Sequence, residues 1–164
     1  MADALLLRAQ AQRLIGLDAA SEPPRMFAIG YSIGSGVAAQ LAGHGLVDGA
    51  ILITPFDSVE AVARQRYFFA PVGQLLRHPF RSDLALVDKD VPVAVIAAGR
   101  DRIVPPARTA ALVALLARPV LVATVSQADH VSLYDLPEFD QLLGQALRAL
   151  QATKPVEAVP VSGR

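Results

Sequence analysis

The sequence predicts an α/β fold, a parallel sheet with helices on both of its faces. Three observations carry that prediction. Apolar runs alternate with helical patterns along the chain, the order that parallel crossover units require. The runs are continuous rather than alternating, as strands buried on both faces are. The mean hydropathy of +0.41 is high, yet the longest apolar stretch, residues 110–125, is cut by Arg118-Pro119. Each half is shorter than the ~20 residues a membrane span needs, so the apolar residues belong to a core.

Each element has a local reason. Over residues 3–17, Leu5, Leu6, Ala9, Leu14 and Leu17 share one helical face, with Arg8, Gln12 and Arg13 between them. Ser21-Glu22-Pro23-Pro24 stops that helix. Met26–Ile29 is a short apolar run between Pro and Gly and reads as a buried strand. Residues 32–42 are rich in small residues and read as a helix. Gly49–Thr54 is a second strand, ended by Pro55. Residues 56–90 hold Pro71 and Pro79 and read as a small cap-like insertion of short helices and loops. Val91–Ala98 is a third strand, and Pro105–Ala117 a helix with its prolines at the start, where they are tolerated. Val120–Val125 is a fourth strand, and Pro137–Gln151 a last amphipathic helix. Residues 1–151 thus read as one domain and residues 152–164 as a disordered tail.

Composition excludes several function classes. Lys plus Arg equals Asp plus Glu at 15 each, which offers no electrostatic drive toward nucleic acid. The chain has no Cys, so disulfide scaffolds, thiolate zinc sites and Cys nucleophiles are all absent. It has no Trp, and its aromatic content of 5% does not suit a base-stacking platform. No His, Asp and Glu cluster has metal-ligand spacing, so neither a metal nor a cofactor is expected. The N-terminus lacks the basic start and cleavage site of a signal peptide, and the default expectation is a cytoplasmic protein.

The chemistry concentrates in Gly30-Tyr31-Ser32-Ile33-Gly34, a G-x-S-x-G between a predicted strand and a predicted helix. A serine on so tight a turn has strained backbone angles and points its hydroxyl out of the sheet top. Positions two before and two after the serine are expected to crowd the turn, which favours Gly at both. Gly36 and Ala38 are expected to let the helix lie close to the strands. The helix N-terminus beneath Ser32 places partial positive charge where an oxyanion would develop. A phosphate-binding helix start is the competing reading, but the segment lacks a Walker Lys and a G-x-G-x-x-G. A serine nucleophile needs a base and an acid that orients it. Asp101 follows the third strand and His130 the fourth, so all three residues fall at one edge of the sheet. Asp57, just past the second strand, is the alternative acid. Asp129 reads as solvent-facing, His44 as a helix cap and His78 as a loop residue.

These pieces resemble the α/β-hydrolase family. The matching segments are Phe27–Gly36 (FAIGYSIGSG), Ile53–Ser58 (ITPFDS), Val93–Pro105 (VAVIAAGRDRIVP) and Ala128–Val131 (ADHV). They look most like its single-domain, serine-aminopeptidase-like branch over residues 3–150. The resemblance implies Ser32 as nucleophile, Asp101 as acid, His130 as base and the Ile33 N–H as one oxyanion donor. It implies a serine hydrolase acting on a small acyl substrate: an ester, thioester or amide. Tyr67, Phe68, Phe69, Leu75, Leu76 and Phe80 would form either an apolar cover or ordinary core packing.

The departure from the family is at the N-terminus. The family's nucleophile follows its fifth strand, whereas Ser32 follows the first one here. The chain therefore reads as the C-terminal half of the fold, with about four strands. At ~30 residues per βα unit, the expectation is that on the order of 100 residues are missing. The first strand then becomes an exposed edge that a second copy could pair with. The alternative function is a catalytically dead remnant acting as an interaction module through that edge. An acyltransferase on the same scaffold is a further rival.

Overall fold

Four apolar runs become the four strands β1 (Phe27–Tyr31), β2 (Gly49–Ile53), β3 (Val93–Ala98) and β4 (Pro119–Val125). The computed structural model describes residues 24–66 and 80–154, with positions 10 and 16 besides. The expected helix over 3–17, His78, the residues 67–79 of the expected insertion and the tail beyond residue 154 lie outside the described residues. The strands pair in the order β1-β2-β3-β4, every neighbour parallel. Helix α1 (Ile33–Gly43) joins β1 to β2. Helices α2 (Val59–Arg66) and α3 (Ser82–Leu86) lie between β2 and β3. Helix α4 (Pro106–Val113) joins β3 to β4, and a 3-10 turn (Ser132–Asp135) leads into α5 (Pro137–Gln151).

The two faces of the sheet follow the period of two along each strand. Ala50, Leu52, Val93 and Val95 pack with Ala38, Ala39 and Ala42 of α1, Leu86 of α3 and Leu112 of α4. Ile51, Ile53, Ala94 and Ile96 face the other way, onto Phe139, Ala146 and Leu150 of α5. Ile51, Leu52, Ile96, Leu112 and Leu150 are fully buried. Each such side chain contributes about 1.5–3 kcal/mol relative to exposure. Small residues on α1 bring its backbone close to its neighbours. A Cβ added to Gly43 would stand 2.0 Å from the Ala85 carbonyl oxygen, so α1 and α3 touch backbone to side-chain-free backbone.

The structure corrects two expectations. The helix predicted over 105–117 ends at Val113. Arg118 precedes Pro119, a position biased away from helical angles, and Leu116 instead pairs with Val87 in an antiparallel bridge. Strand β4 is not covered on both faces: Val122 is 51% exposed, because β4 is an edge of the sheet. Strand β1 is the other edge, with Ile29 52% exposed. Arg25 ties the start of β1 to the end of α5. Its guanidinium donates to the carbonyls of Leu150, Gln151 and Thr153, at and just past the C-terminus of the helix, and lies over the Phe27 ring.

Candidate active site

Because all four strands run parallel, their C-terminal ends share one rim. Main-chain hydrogen bonds extend the sheet past the strand ends and fix that rim. Ser32 N–H donates to Ile53 O at 2.9 Å, Thr54 N–H to Ile96 O at 2.8 Å, and Gly99 N–H to Val125 O at 2.9 Å.

Ser32 stands between β1 and α1 with φ 50° and ψ −120°. A non-glycine residue held there costs about 1–3 kcal/mol, and only a rigid surround keeps it. Gly30 supplies part of that surround. A Cβ at Gly30 would lie 2.2 Å from the Gly34 carbonyl oxygen and 2.8 Å from Ala38 Cβ. Gly34 departs from expectation: a Cβ there would meet nothing within 4 Å. It is the Gly34 main chain, not a missing side chain, that crowds the turn. Gly36 also differs, since the space beside it is filled by Phe56 and Phe80 rather than by a strand. Ile33, the first residue of α1, is 54% exposed.

Ser32 Oγ lies 2.9 Å from His130 Nε2, and His130 Nδ1 lies 2.7 Å from Asp101 Oδ2. A carboxylate can only accept, so the proton of the neutral ring sits on Nδ1. That leaves Nε2 free to accept from the Ser32 hydroxyl. His130 and Asp101 are each 7% exposed, so water does not compete strongly for either contact. The other carboxylate oxygen of Asp101 accepts from the N–H groups of Ile103 and Val104, both at 2.8 Å. The acid is thereby held from two sides.

The loop carrying His130 is braced as well. Asp129 Oδ1 accepts from the N–H groups of Val131 and Ser132, and Ser132 Oγ accepts from the Asp129 N–H. These N–H groups, that of Ser132 first, hold the Asp129 carboxyl below its ordinary range. Asp129 is exposed and does not orient the neighbouring ring. The Tyr31 hydroxyl donates to the His130 carbonyl oxygen. The Tyr31 ring stacks edge-on with Tyr134, which in turn meets Phe139 of α5. Burial pushes the Tyr31 hydroxyl above its ordinary value, so it remains a proton donor.

The remaining candidates go elsewhere. Asp57 pairs with Arg108 at 3.0 Å and accepts from the Ser58 N–H, so its carboxylate serves the α4 side of the rim and not His130. His44 sits at the C-terminus of α1 with Nδ1 2.7 Å from Gln40 O, as a cap. Among the described residues no group of three or more His, Cys, Asp and Glu could hold a metal. No helix among them is long and apolar enough to cross a membrane. Sequence reasoning placed Tyr31 in the turn but missed its hydroxyl contact, which joins positions 99 residues apart. It also passed over Arg100 and Arg102, whose signal was a pair of cations flanking an acid at a strand end.

No protein-family model matches the chain. Two uncharacterized proteins of Mycobacterium tuberculosis, from strains CDC 1551 / Oshkosh and ATCC 25618 / H37Rv, are each 33% identical over 109 residues, 66% of this chain. The chain spans only 39% of the length of these curated relatives. Among solved structures, an acetyl ester-xyloside bifunctional hydrolase from Caldicellulosiruptor lactoaceticus superposes with TM-score 0.68 at 16% identity, over 93% of this chain and 64% of that one. A sugar hydrolase from Lactococcus lactis gives TM-score 0.68 at 15% identity, over 91% and 65%. A monoacylglycerol lipase from Paleococcus ferrophilus gives 0.60 at 14%, over 92% and 75%. At such identities the likeness is one of fold.

Proposed function

Since the chain carries the α/β-hydrolase fold, we propose that it is a serine hydrolase that cleaves an ester, thioester or amide. The supporting observation is the continuous contact from Ser32 Oγ through His130 to Asp101, at 2.9 and 2.7 Å. In the proposed reaction His130 Nε2 takes the Ser32 proton while Oγ bonds to the substrate carbonyl carbon. The carbonyl oxygen becomes an oxyanion, met by the Ile33 N–H at the positive end of α1. The imidazolium then gives its proton to the leaving oxygen, sulfur or nitrogen as that bond breaks. Water, deprotonated by Nε2, attacks the acyl-enzyme, and the proton returns to Ser32 as the acid departs. Asp101 keeps the ring in the tautomer these transfers need and stabilises the charged ring. With one oxyanion donor assigned among the described residues, turnover is expected ~10²–10³ below that of a two-donor site.

A fluorophosphonate probe tests this reading, because its phosphorus is attacked by an activated serine and the adduct persists. The expected result is one label per folded chain, recovered on the peptide containing Ser32. A folded chain that stays unlabelled removes the hydrolase reading. It would favour an interaction module, which one observation supports: the half-exposed Ile29 on the edge strand β1.

Tyr31 is a positioning residue on this reading. Tyr31→Phe deletes the bond to the His130 carbonyl, together with the hydroxyl contact to Tyr134, and keeps the ring contacts. The expected loss is roughly fivefold in kcat with KM nearly unchanged, since a single neutral hydrogen bond contributes about 1 kcal/mol. A change in thermal stability with kcat untouched would make Tyr31 merely structural.

A further inference from the structure

Arg100 and Arg102 stand on either side of Asp101, and both are exposed. Elsewhere Arg64, Arg81, Arg108 and Arg118 each pair with a carboxylate, and Arg25 holds main-chain carbonyls. The side chains of Arg100 and Arg102 make no hydrogen bond or ion pair among the described residues. Their loop is nonetheless fixed. Arg100 N–H donates to Ala128 O at 2.8 Å, and Asp101 is tied to Ile103, Val104 and His130. Both arginines line a pocket of about 430 Å³ together with Ile103, Asp129, His130 and Val131.

The lining thus holds two arginines against one carboxylate, and that carboxylate's oxygen, Asp129 Oδ1, is already engaged by two N–H groups. Ile103 and Val131 are 54% and 67% exposed, so the pocket also presents apolar surface. Unpaired cations beside apolar side chains suit an amphipathic anion, a hydrocarbon or aromatic body ending in a carboxylate or phosphate. Ser32 is not among the lining residues, whereas His130 is. Nε2 must come within hydrogen-bond reach of the leaving atom to protonate it, so the side of Ser32 that His130 occupies is the leaving-group side.

We infer that this pocket, lined by Arg100, Arg102 and His130, binds the anionic leaving group of the substrate, an alcohol or amine half that carries a carboxylate or phosphate. The leaving-group role rests on the hydrolase reading; the anion site does not. The test therefore begins with binding. The Ser32→Ala chain is titrated with 4-hydroxybenzoate, with 4-hydroxyphenyl phosphate and with the neutral isostere 4-hydroxybenzamide, following the amide resonances of residues 100–103 and 131. Both anions are expected to bind at least about fivefold more tightly than the amide, a preference that shrinks on going from about 0.05 to about 0.5 M NaCl. A tighter fit for the phosphate identifies that group as the source, and the reverse order identifies the carboxylate. Arg100→Gln/Arg102→Gln should abolish the preference and Arg100→Lys/Arg102→Lys should restore most of it. In the parent chain, kcat/KM for 4-acetoxybenzoate over 4-acetoxybenzamide should exceed about fivefold, and the ratio should fall toward one in the Gln variant. Equal binding of anion and amide, or a preference that survives both Gln substitutions, overturns the site. Selective binding in a chain that cleaves no ester sinks the hydrolase reading and leaves the anion site standing. Cleavage that favours phenyl hemisuccinate, with its charge on the acyl half, over 4-acetoxybenzoate overturns the leaving-group assignment.

Discussion

Replacing Ser32 with alanine is expected to bring hydrolysis of p-nitrophenyl acetate down to the level of the buffer, a loss of at least about 10³-fold in kcat/KM. On the proposed reading Ser32 Oγ is the atom that becomes bonded to the acyl group, and the nearby Ser35 hydroxyl is buried and spent on the Ser32 carbonyl oxygen. His130 Nε2 faces Ser32 Oγ at 2.9 Å, and without that hydroxyl the imidazole can only activate water from a poor position. On that reading, whatever rate survives comes from this weakly placed water, the proposed Ile33 N–H and binding. The substitution leaves the fold intact for a specific reason. Ala carries the same Cβ as Ser at φ 50°, so backbone strain is nearly unchanged, and the lost contact is one hydrogen bond to a histidine still held by Asp101. The melting temperature should shift by no more than a few degrees, which separates loss of chemistry from loss of structure. Parent and variant cleaving the ester equally fast would show that Ser32 is not the nucleophile.

Why so much of the rim can be read in the sequence follows from the parallel sheet. β2 and β3 are buried at every position, and a run such as Ala50-Ile51-Leu52-Ile53 has no other stable place. Once parallel crossovers are granted, the residue after each strand is on the same edge, and Ser32, Asp101 and His130 each follow a strand. What the sequence leaves unwritten are relations between elements. Val120–Val125 is as apolar as its neighbours, yet as the last strand of the sheet it has a partner on one side only, and Val122 faces out. Both glycines of the turn look equivalent as letters. Only the path of α1 over β1 makes one of them crowded and the other free. Tyr31 shares a face with Ile29, but its hydroxyl finds a carbonyl 99 residues away, a distance no local pattern encodes. Asp57 and Asp101 both stand just past a strand end, Asp101 as the expected acid and Asp57 as the alternative. The difference is Arg108, which claims Asp57, while the N–H groups of Ile103 and Val104 turn Asp101 toward the ring.

The contrast between the two glycines gives the other large effect. Gly30→Ala should destabilise the chain by about 3 kcal/mol, at the upper end of what an inserted methyl does to a packed interior. The added carbon would stand 2.2 Å from the Gly34 carbonyl oxygen, 2.6 Å from its carbon and 2.8 Å from Ala38 Cβ. Two of those atoms are main chain in the first turn of α1, which no rotamer change can move, so the helix must lift from β1. Lifting it carries Ser32 away from His130, because Ser32 is the hinge between the two elements. Fluorophosphonate labelling should therefore be lost even well below the melting point, and that point should itself fall by roughly 6–12 °C. Ala38→Gly in the same chain removes one of the three contacts and should recover only part of the loss. Gly34→Ala is the counterpart: its new carbon meets open space within 4 Å. A helical Gly-to-Ala change with no clash gains up to about 1 kcal/mol, so this variant should melt at or slightly above the parent. Thermal melts of the two single variants side by side decide the matter. If Gly30→Ala melts with the parent and still labels at Ser32, close packing of α1 on β1 is not what holds the serine in its strained position, and the rigidity assigned to the turn must come from elsewhere.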